Sequence, residues 1–274
     1  MQSSHDRPVV LLSPHLDDAV FGLWHVLDGP GSAEVVTVFA GIPDPGRVTP
    51  LDASHGAEES AAWMRRRRRE DREALAVAGR DPRHLDLLDI QYVADRDPEL
   101  AQAVAEDPDS FVRIVRDRID LRDRVSQIAE ALPPDALRDR LVHAPVGFGG
   151  HPDHRAVALY AVELAKAGAE VRLWGDSPYV VRHGLPTWLG GVHNPPADEI
   201  VAEGLAATVG DRYRLTVDTV RLTGAALERK LRATRCYRTE YPSIQADFGA
   251  AMEPDMLAYE LVWSLRADDQ PGRR

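Results

Sequence analysis

The residues Pro8-Val9-Val10-Leu11-Leu12 lead directly into Ser13-Pro14-His15-Leu16-Asp17-Asp18 near the start of the chain. The first segment is a continuous apolar run rich in β-branched residues, which predicts a strand buried on both faces, as in a parallel sheet. The spacing of apolar residues over 19–27 predicts a helix, and Glu34 to Ala40 predicts a second strand of the same kind. Strand, helix and strand in this order predict a right-handed βαβ unit, the start of a doubly wound α/β sheet.

The remainder of the chain continues to alternate between the two kinds of element. Strands are expected at 85–88, 140–145 and 170–174, and helices at 57–78, 111–132, 154–167 and 224–239. Two segments rich in glycine and proline, 41–55 and 184–196, are predicted to be long loops. Because no internal repeat or long linker is found, residues 1–274 are predicted to form a single domain.

Charge and cysteine content restrict the classes of function. The 274 residues include 33 basic and 44 acidic side chains, a formal net charge of −11, which argues against a nucleic-acid partner bound by bulk charge. The lone Cys236 excludes an internal disulfide framework and a cysteine-rich zinc module. No apolar run reaches the ~20 residues of a membrane span, and residues 1–7 lack the apolar segment of a signal peptide. A cytoplasmic protein is expected.

The polar residues after the first strand have the spacing of a metal site. In open parallel sheets, ligands bind outside the carboxyl ends of the strands. His15 and Asp18 are three residues apart, so on a helical turn they share one face and can bind one cation. The adjacent Asp17 points elsewhere on the turn, which suits one carboxylate as ligand and the other as base.

A second group, Gly149-Gly150-His151-Pro152-Asp153-His154, follows the strand expected at 140–145. Pro152 suits the first position of a helix, where its fixed φ is favourable. Both groups follow parallel strands and can therefore meet at one edge of the sheet. His15, Asp18 and His154 would then supply three ligands and leave a fourth position for water, as in catalytic zinc sites; Fe²⁺ is also compatible with these ligands.

Simpler roles exist for the same residues. Asp17 and Asp18 could cap the following helix, because acidic residues are favourable in a first turn. His151 could be an exposed loop residue. Asp153 could cap its own helix rather than contact a ligand. The joint occurrence of both groups after predicted strands favours metal binding over these alternatives.

At these residues the sequence resembles the PIG-L/LmbE-like family of zinc-dependent de-N-acetylases. The family motif Pro-His-x-Asp-Asp is matched at 14–18, and His-x-Asp-His is matched at 151–154. The resemblance implies a Rossmann-like three-layer α/β fold with a mostly parallel sheet, and zinc bound by His15, Asp18 and His154. It also implies Asp17 as the general base, His151 as the residue that stabilises the oxyanion or donates a proton, and Asp153 as a residue that orients a ligand imidazole.

Weaker matches extend the resemblance to the substrate. Arg67, Asp89, Asp176 and Tyr179 lie in segments that are similar to family sequences, and the resemblance implies that they contact substrate. The chain departs from the family pattern in several places: at Leu16 (usually proline), Ala19 (usually glutamate), Gly149 (tyrosine in some members) and Glu240 (near a common Ser-Gln). These departures leave the ligand residues intact and affect the region of the substrate.

The predicted function is metal-dependent hydrolysis of an N-acyl group, acetyl foremost, from a small polar metabolite such as an amino sugar in bacterial secondary or thiol metabolism. Two alternatives are an amidase of the same family that cleaves a larger conjugate and a non-catalytic metal-binding regulator. A nucleotide-binding α/β module is disfavoured because neither Gly-x-Gly-x-x-Gly nor a Walker loop is present. The expected partner is a small molecule, and the chain could form homo-oligomers.

Overall fold

The computed structural model describes residues 7–189 and 195–267. Within them the strands form one sheet in the order β3-β2-β1-β4-β5-β7-β6. In chain order the strands are β1 (Val9–Ser13), β2 (Ala33–Thr37), β3 (Pro82–His84), β4 (Leu141–Pro145), β5 (Glu170–Trp174), β6 (Tyr213–Arg221) and β7 (Tyr259–Ala267).

Helices cover both faces of this sheet. In chain order they are α1 (Asp18–Gly22), α2 (Trp24–Leu27), α3 (Pro50–Ser54), α4 (Ser60–Ala76), α5 (Ile90–Ala94), α6 (Pro98–Glu106), α7 (Phe111–Arg116), α8 (Leu121–Ala131), α9 (Pro152–Lys166), α10 (Pro195–Val209), α11 (Gly224–Thr234), α12 (Tyr241–Phe248) and α13 (Pro254–Leu257). None of the helices in the described ranges is long and apolar enough to span a bilayer.

The sheet is buried on both sides, which explains the continuous apolar run of β1. Val10 and Leu12 belong to the hydrophobic core that includes Ile128 of α8, whereas Leu11 belongs to the opposite core, which includes Phe21 of α1. Successive residues of a strand point to opposite faces, so a strand inside a three-layer fold must be apolar throughout. The predicted α/β fold with a mostly parallel sheet is confirmed.

The order of the strands places a crevice beside the first motif. β1 pairs in parallel with β2 on one side and with β4 on the other. The chain therefore leaves β1 towards one edge of the sheet and later returns at β4 to build the other, which opens a crevice at the carboxyl ends of these two strands. β1 ends at Ser13 and β4 ends at Pro145, so the two predicted motifs begin at this crevice.

Several predicted elements differ from the structure. The helix expected over 19–27 is divided into α1 and α2, and the strand expected over 34–40 ends at Thr37. The prediction of a strand at 85–88 was wrong, because the third strand is Pro82–His84. The N–H of Leu85 donates to the carbonyl of Thr37, and the pairing with β2 ends there. A proline at the first residue is tolerated there because β3 lies at the edge of the sheet. The single helix predicted over 111–132 is divided into α7 and α8, and Asp120 caps the second of them through the N–H of Arg122.

Other elements were not predicted at all. The proposed loop 41–55 contains α3, which begins after Thr49 accepts the N–H of Asp52. The antiparallel pair β6 and β7 extends the sheet beyond β5, although β6 is mostly exposed and carries little apolar signal. In the loop predicted over 184–196, residues 190–194 lie outside the described residues.

Candidate metal centre

Hydrogen bonds fix the first motif at the end of β1. The Ser13 hydroxyl donates to the carbonyl of His15 and accepts the N–H of Ala19, which ties the tight turn to the start of α1. Asp17 occupies the N-cap position of α1, but its side chain makes no capping bond. The Asp18 carboxylate accepts the backbone N–H of His15 at 2.7 Å. Asp17 is therefore not used as a helix cap.

The second motif begins with a glycine turn and opens α9. Gly147 and Gly149 have φ values of +91° and +79°, a region that residues with a Cβ rarely adopt. Pro152 lies in the first turn of α9, as predicted. His151 is the N-cap residue, and its Nδ1 accepts the N–H of Asp153 at 3.2 Å.

The two motifs meet at three side-chain atoms. Nδ1 of His15 lies 3.2 Å from Nε2 of His154 and 3.4 Å from Oδ2 of Asp18. The third side of the triangle, from Nε2 of His154 to Oδ2 of Asp18, is 3.3 Å. Bonds of about 2.0–2.1 Å to a tetrahedral Zn²⁺ place neighbouring ligand atoms about 3.3–3.4 Å apart. The spacing therefore matches a shared cation.

The hydrogen bonds on the far side of each ring support the same interpretation. Nε2 of His15 lies 3.1 Å from Oδ2 of Asp153, and Nδ1 of His154 lies 2.6 Å from Oδ1 of Asp176. A carboxylate accepts, so each of these ring nitrogens carries the proton when the imidazole is neutral. The opposite nitrogens then present lone pairs to each other and to Asp18.

Converging lone pairs repel one another unless a cation lies between them. His15, Asp18 and His154 are all buried, with exposures of 8%, 6% and 2%, so water screens this repulsion poorly. Although burial favours a neutral ring, the carboxylates of Asp18 and Asp176 raise the pKa of His154. The donor set, two imidazoles and one carboxylate, fits a divalent metal such as Zn²⁺ or Fe²⁺.

His151 is close enough to be considered as an alternative ligand. Donor atoms of His15, His151 and His154 lie within 4.8 Å of one another. However, Nδ1 of His151 accepts the Asp153 N–H, so the neutral ring carries its proton on Nε2. Burial, together with His15 and His154, holds the pKa of His151 well below its usual value. His151 is thus a neutral imidazole whose Nε2–H is available as a donor.

Asp17 lies beside this triangle and lines the cavity described below. Burial and the adjacent Asp18 carboxylate raise the pKa of Asp17 above that of an ordinary aspartate, and Arg67 opposes this shift. A carboxylate that is not used in capping and faces a cavity can accept a proton from a bound water molecule.

The two carboxylates behind the histidines lie away from the cavity wall. Asp153 is fully buried between His15 and Arg124. Asp176 accepts the N–H groups of Gly147 and Phe148 as well as that of His154. Asp153 lies where it can orient a ring, as the resemblance implied, whereas Asp176, expected to contact substrate, is placed behind His154.

A cavity of about 350 Å³ opens over the three donor atoms. Its polar wall includes eight of the predicted site residues; these are His15, Asp17, Asp18, Arg67, Asp89, His151, His154 and Tyr179. Phe111, Ile244 and Phe248 contribute apolar surface. A volume of this size and a few convergent polar groups are typical of a small-molecule site.

The remaining predicted contacts occupy different walls of the cavity. Nε of Arg67 lies 3.4 Å from Oε1 of Glu240, so the charge of this buried guanidinium is largely compensated. Asp89 caps α5 through the N–H of Gln91, and its other oxygen lies 3.5 Å from Nε2 of His15. The ring of Tyr179 packs edge-on against His154, with centroids 5.8 Å apart.

Sequence reasoning missed Arg124 as a component of the site and treated Glu240 only as a departure from the family. Arg124 lies on α8 four residues before the fully buried Ile128, so its position on the buried face of an amphipathic helix was the available signal. Glu240 precedes α12 and has no comparable signal, because its partner Arg67 is far away in the sequence.

Solved structures similar to this one include deacetylases. The structure of a deacetylase from the teicoplanin biosynthesis pathway, in complex with bog, is 25% identical, covers 96% of this chain and 99% of its own, and superposes with a TM-score of 0.68. The A40926 pseudoaglycone deacetylase Dbv21 is 26% identical, with coverage of 95% and 97% and a TM-score of 0.60.

A third structure, the zinc-inhibited form of teicoplanin deacetylase Orf2, is 24% identical and has a TM-score of 0.60, with coverage of 96% and 99%. At that identity it supports the fold alone. No protein-family profile and no curated protein matches the sequence.

Proposed function

We propose that this chain is a PIG-L/LmbE-like N-deacetylase that uses one zinc ion, bound by His15, Asp18 and His154, to remove an acetyl group from the nitrogen of a small amino sugar. The observation that carries the proposal is the triangle of donor atoms with sides of 3.2, 3.3 and 3.4 Å. Its two nitrogens are held as lone-pair donors by carboxylates on their far sides.

Zinc, when bound, supplies Lewis acidity, which polarises the amide carbonyl and acidifies water. The protein supplies the proton transfers. Asp17 lines the same cavity and its carboxylate is not engaged in capping α1, so it accepts the proton of the attacking water. The same carboxyl group then returns that proton to the leaving amine.

His151 contributes to the transition state as a hydrogen-bond donor. Its Nδ1 is occupied by the Asp153 N–H, so Nε2–H is the group that can donate to the oxygen of the scissile amide. A donor fixed before the reaction stabilises the charge that develops on this oxygen without further reorganisation. Loss of one such donor typically costs about 10²–10³ in kcat.

The cavity supports a small polar substrate. A cavity of about 350 Å³ is large enough for a sugar ring with its acyl group. Arg67, Asp89 and Tyr179 are proposed to contact the hydroxyl groups of the sugar, and Asp176 to act from behind His154. We propose that residues 1–274 form one catalytic domain in the cytoplasm, and its oligomeric state stays a prediction.

Elemental analysis of the purified protein, followed by assays on a panel of N-acetylated amino sugars, tests this proposal. We expect one zinc per chain and release of acetate. Asp17→Asn should keep the zinc and lose at least about 10²-fold in kcat, because general acid–base catalysis contributes that much. Asp247→Asn, an exposed carboxylate at the same cavity, serves as a matched control with near-normal turnover.

Four results would contradict parts of the proposal. Fully active Asp17→Asn would remove this residue from the mechanism. Release of an amine from a bulky acyl conjugate, with no hydrolysis of N-acetyl sugars, would identify an amidase of the same family. A protein that holds zinc and hydrolyses no N-acyl compound would be a metal-binding regulator. Iron in place of zinc would correct the metal and leave the roles of the residues unchanged.

A further inference from the structure

A buried arginine contacts Asp153, the carboxylate that is hydrogen-bonded to the proposed metal ligand His15. Arg124 of α8 is 3% exposed, and its Nε and Nη2 both donate to Oδ1 of Asp153, with Nε at 3.1 Å. Nη2 also donates to the carbonyl of Leu88 at 2.8 Å. The guanidinium lies over the ring of Phe39, 4.1 Å from its centroid. These contacts hold the group from several directions.

The two oxygens of Asp153 have separate tasks. Oδ1 faces Arg124, whereas Oδ2 accepts from Nε2 of His15 and from the backbone N–H of Ile90 at 2.9 Å. Because both oxygens are engaged, rotation of the carboxylate would break at least two hydrogen bonds. The orientation of the His15 ring, and the nitrogen that carries its proton, therefore depend on the contact between Asp153 and Arg124.

The same contacts place the segment that carries Asp89. Arg124 bonds to Leu88 and Asp153 bonds to Ile90, so the residues on either side of Asp89 are held by one ion pair. Asp89 in turn lies 3.5 Å from Nε2 of His15. Arg124 compensates the charge that two carboxylates would otherwise concentrate beside one imidazole.

We propose that Arg124 is a positioning residue for the metal centre: it fixes the Asp153 carboxylate so that His15 keeps its proton on Nε2 and presents Nδ1 to Asp18 and His154. The inference rests on the proposed function, since it assumes a metal at these donors. Arg124 does not line the cavity, so its effect on substrate is indirect. Without it, His15 loses its fixed orientation and the metal binds more weakly.

Metal affinity of the metal-free protein tests this role without any assay of turnover. The zinc dissociation constant is measured by competition with a chromophoric chelator, and the visible absorption of the Co²⁺-loaded protein reports the ligand geometry. Residues behind a ligand typically contribute about 10–100-fold to metal affinity. We expect Arg124→Met to weaken zinc binding by about that factor and to change the Co²⁺ spectrum. Arg124→Lys, which keeps the charge but loses the planar fork, should lie between it and the wild type.

Arg80→Met is the matched control for a general loss of stability. Arg80 also donates through Nε and Nη2, but to the carbonyls of Leu27 and Gly29, and it does not line the cavity. Its removal should lower the melting temperature and leave the zinc dissociation constant within about twofold, as expected of a half-buried arginine that only supports the fold.

The double variant Arg124→Met/Asp153→Asn tests whether Arg124 acts through Asp153, and it removes both charges if Arg124→Met alone fails to fold. We expect it to bind zinc no more weakly than Asp153→Asn, because coupled residues are not additive. Wild-type affinity in Arg124→Met, or additive losses in the double variant, would overturn the role of Arg124. Absence of zinc binding in the wild-type protein would instead refute the proposed function, and this inference with it.

Discussion

The two imidazoles of the candidate metal centre are held by different means. Both rings are buried, and each donates from one nitrogen to a buried carboxylate. The carboxylate behind His15 is Asp153, whose charge is compensated by the guanidinium of Arg124. The carboxylate behind His154 is Asp176, whose other oxygen accepts two backbone N–H groups from the preceding glycine turn.

This difference determines which substitutions should disturb His15 and which should disturb His154. An ion pair between side chains is strong only while both partners are present, because removal of one leaves a buried charge. Backbone N–H groups carry no net charge and remain in place when a side chain changes, provided that the turn keeps its shape. The His15 side should therefore be sensitive to single substitutions, and the His154 side to the backbone of the turn.

The largest expected effect is that of Asp153→Asn on the metal-free protein. The substitution leaves the Arg124 charge buried and uncompensated, so we expect the free energy of unfolding to fall by about 3–5 kcal/mol. Urea denaturation of the metal-free protein measures it. Arg124→Met/Asp153→Asn should recover part of the loss, because it removes the unpaired charge. Wild-type stability in Asp153→Asn would show that the ion pair with Arg124 does not contribute to the free energy of unfolding.

Much of this fold and half of the site could be predicted from sequence, because the signals are local. A buried parallel strand requires an apolar run such as 9–12, and a metal motif places its ligands within a few residues of one another. The carboxyl ends of parallel strands meet at one edge, so the sequence alone predicts that His15 and His154 lie close together.

The remaining features depend on contacts between distant residues. Arg124 and Asp153 are 29 residues apart, and neither has a motif that identifies the other. Of the five consecutive arginines at 65–69, only Arg67 is buried at the cavity, which is decided by the packing of α4. β6 was missed because an exposed edge strand carries no continuous apolar signal.

Asp176→Asn should separate the two sides of the centre. The substitution weakens the hydrogen bond that fixes His154, so we expect zinc affinity to fall by about 10–100-fold. Stability should fall by only about 1–2 kcal/mol, because no buried charge is left without its partner and the amide oxygen can still accept a backbone N–H. Zinc titration and urea denaturation of Asp153→Asn under the same conditions provide the comparison. An equal loss of stability in both variants would show that the free energy of unfolding does not depend on whether the carboxylate is paired with an arginine or with backbone N–H groups.

Gly147→Ala perturbs the backbone on the His154 side. Gly147 has a φ of +91°, and an added Cβ would lie 3.3 Å from Cα of Arg155. We expect a loss of about 1–2 kcal/mol in stability from the left-handed conformation, together with weaker zinc binding. Gly79→Ala is the control, because Gly79 has a φ of +68° and open space around it. It should lose similar stability and keep its zinc affinity; equal zinc affinities in the two variants would contradict the role of the turn.

The buried pair of Lys230 and Glu260 shows how such an ion pair behaves away from the centre. Lys230 donates to Glu260 at 2.6 Å. Burial opposes ionisation of Glu260, but Lys230 and His25 lower its pKa to about 2. The folded pKa lies below the unfolded value of about 4.5, so this contribution is present above pH 4.5 and is lost as the pH falls towards 2.

Between pH 6 and pH 4 the expected loss of stability from Glu260 is about 1 kcal/mol. Glu260→Gln removes this titration, so the variant should be less stable overall but should show a shallower decline over that range. Urea denaturation at several pH values, with the exposed Glu163→Gln as control, measures the difference in slope. Parallel pH profiles for the wild type and Glu260→Gln would mean that Glu260 is not held ionised by Lys230. Such a result would weaken the expectation that the buried pair of Arg124 and Asp153 contributes to the free energy of unfolding.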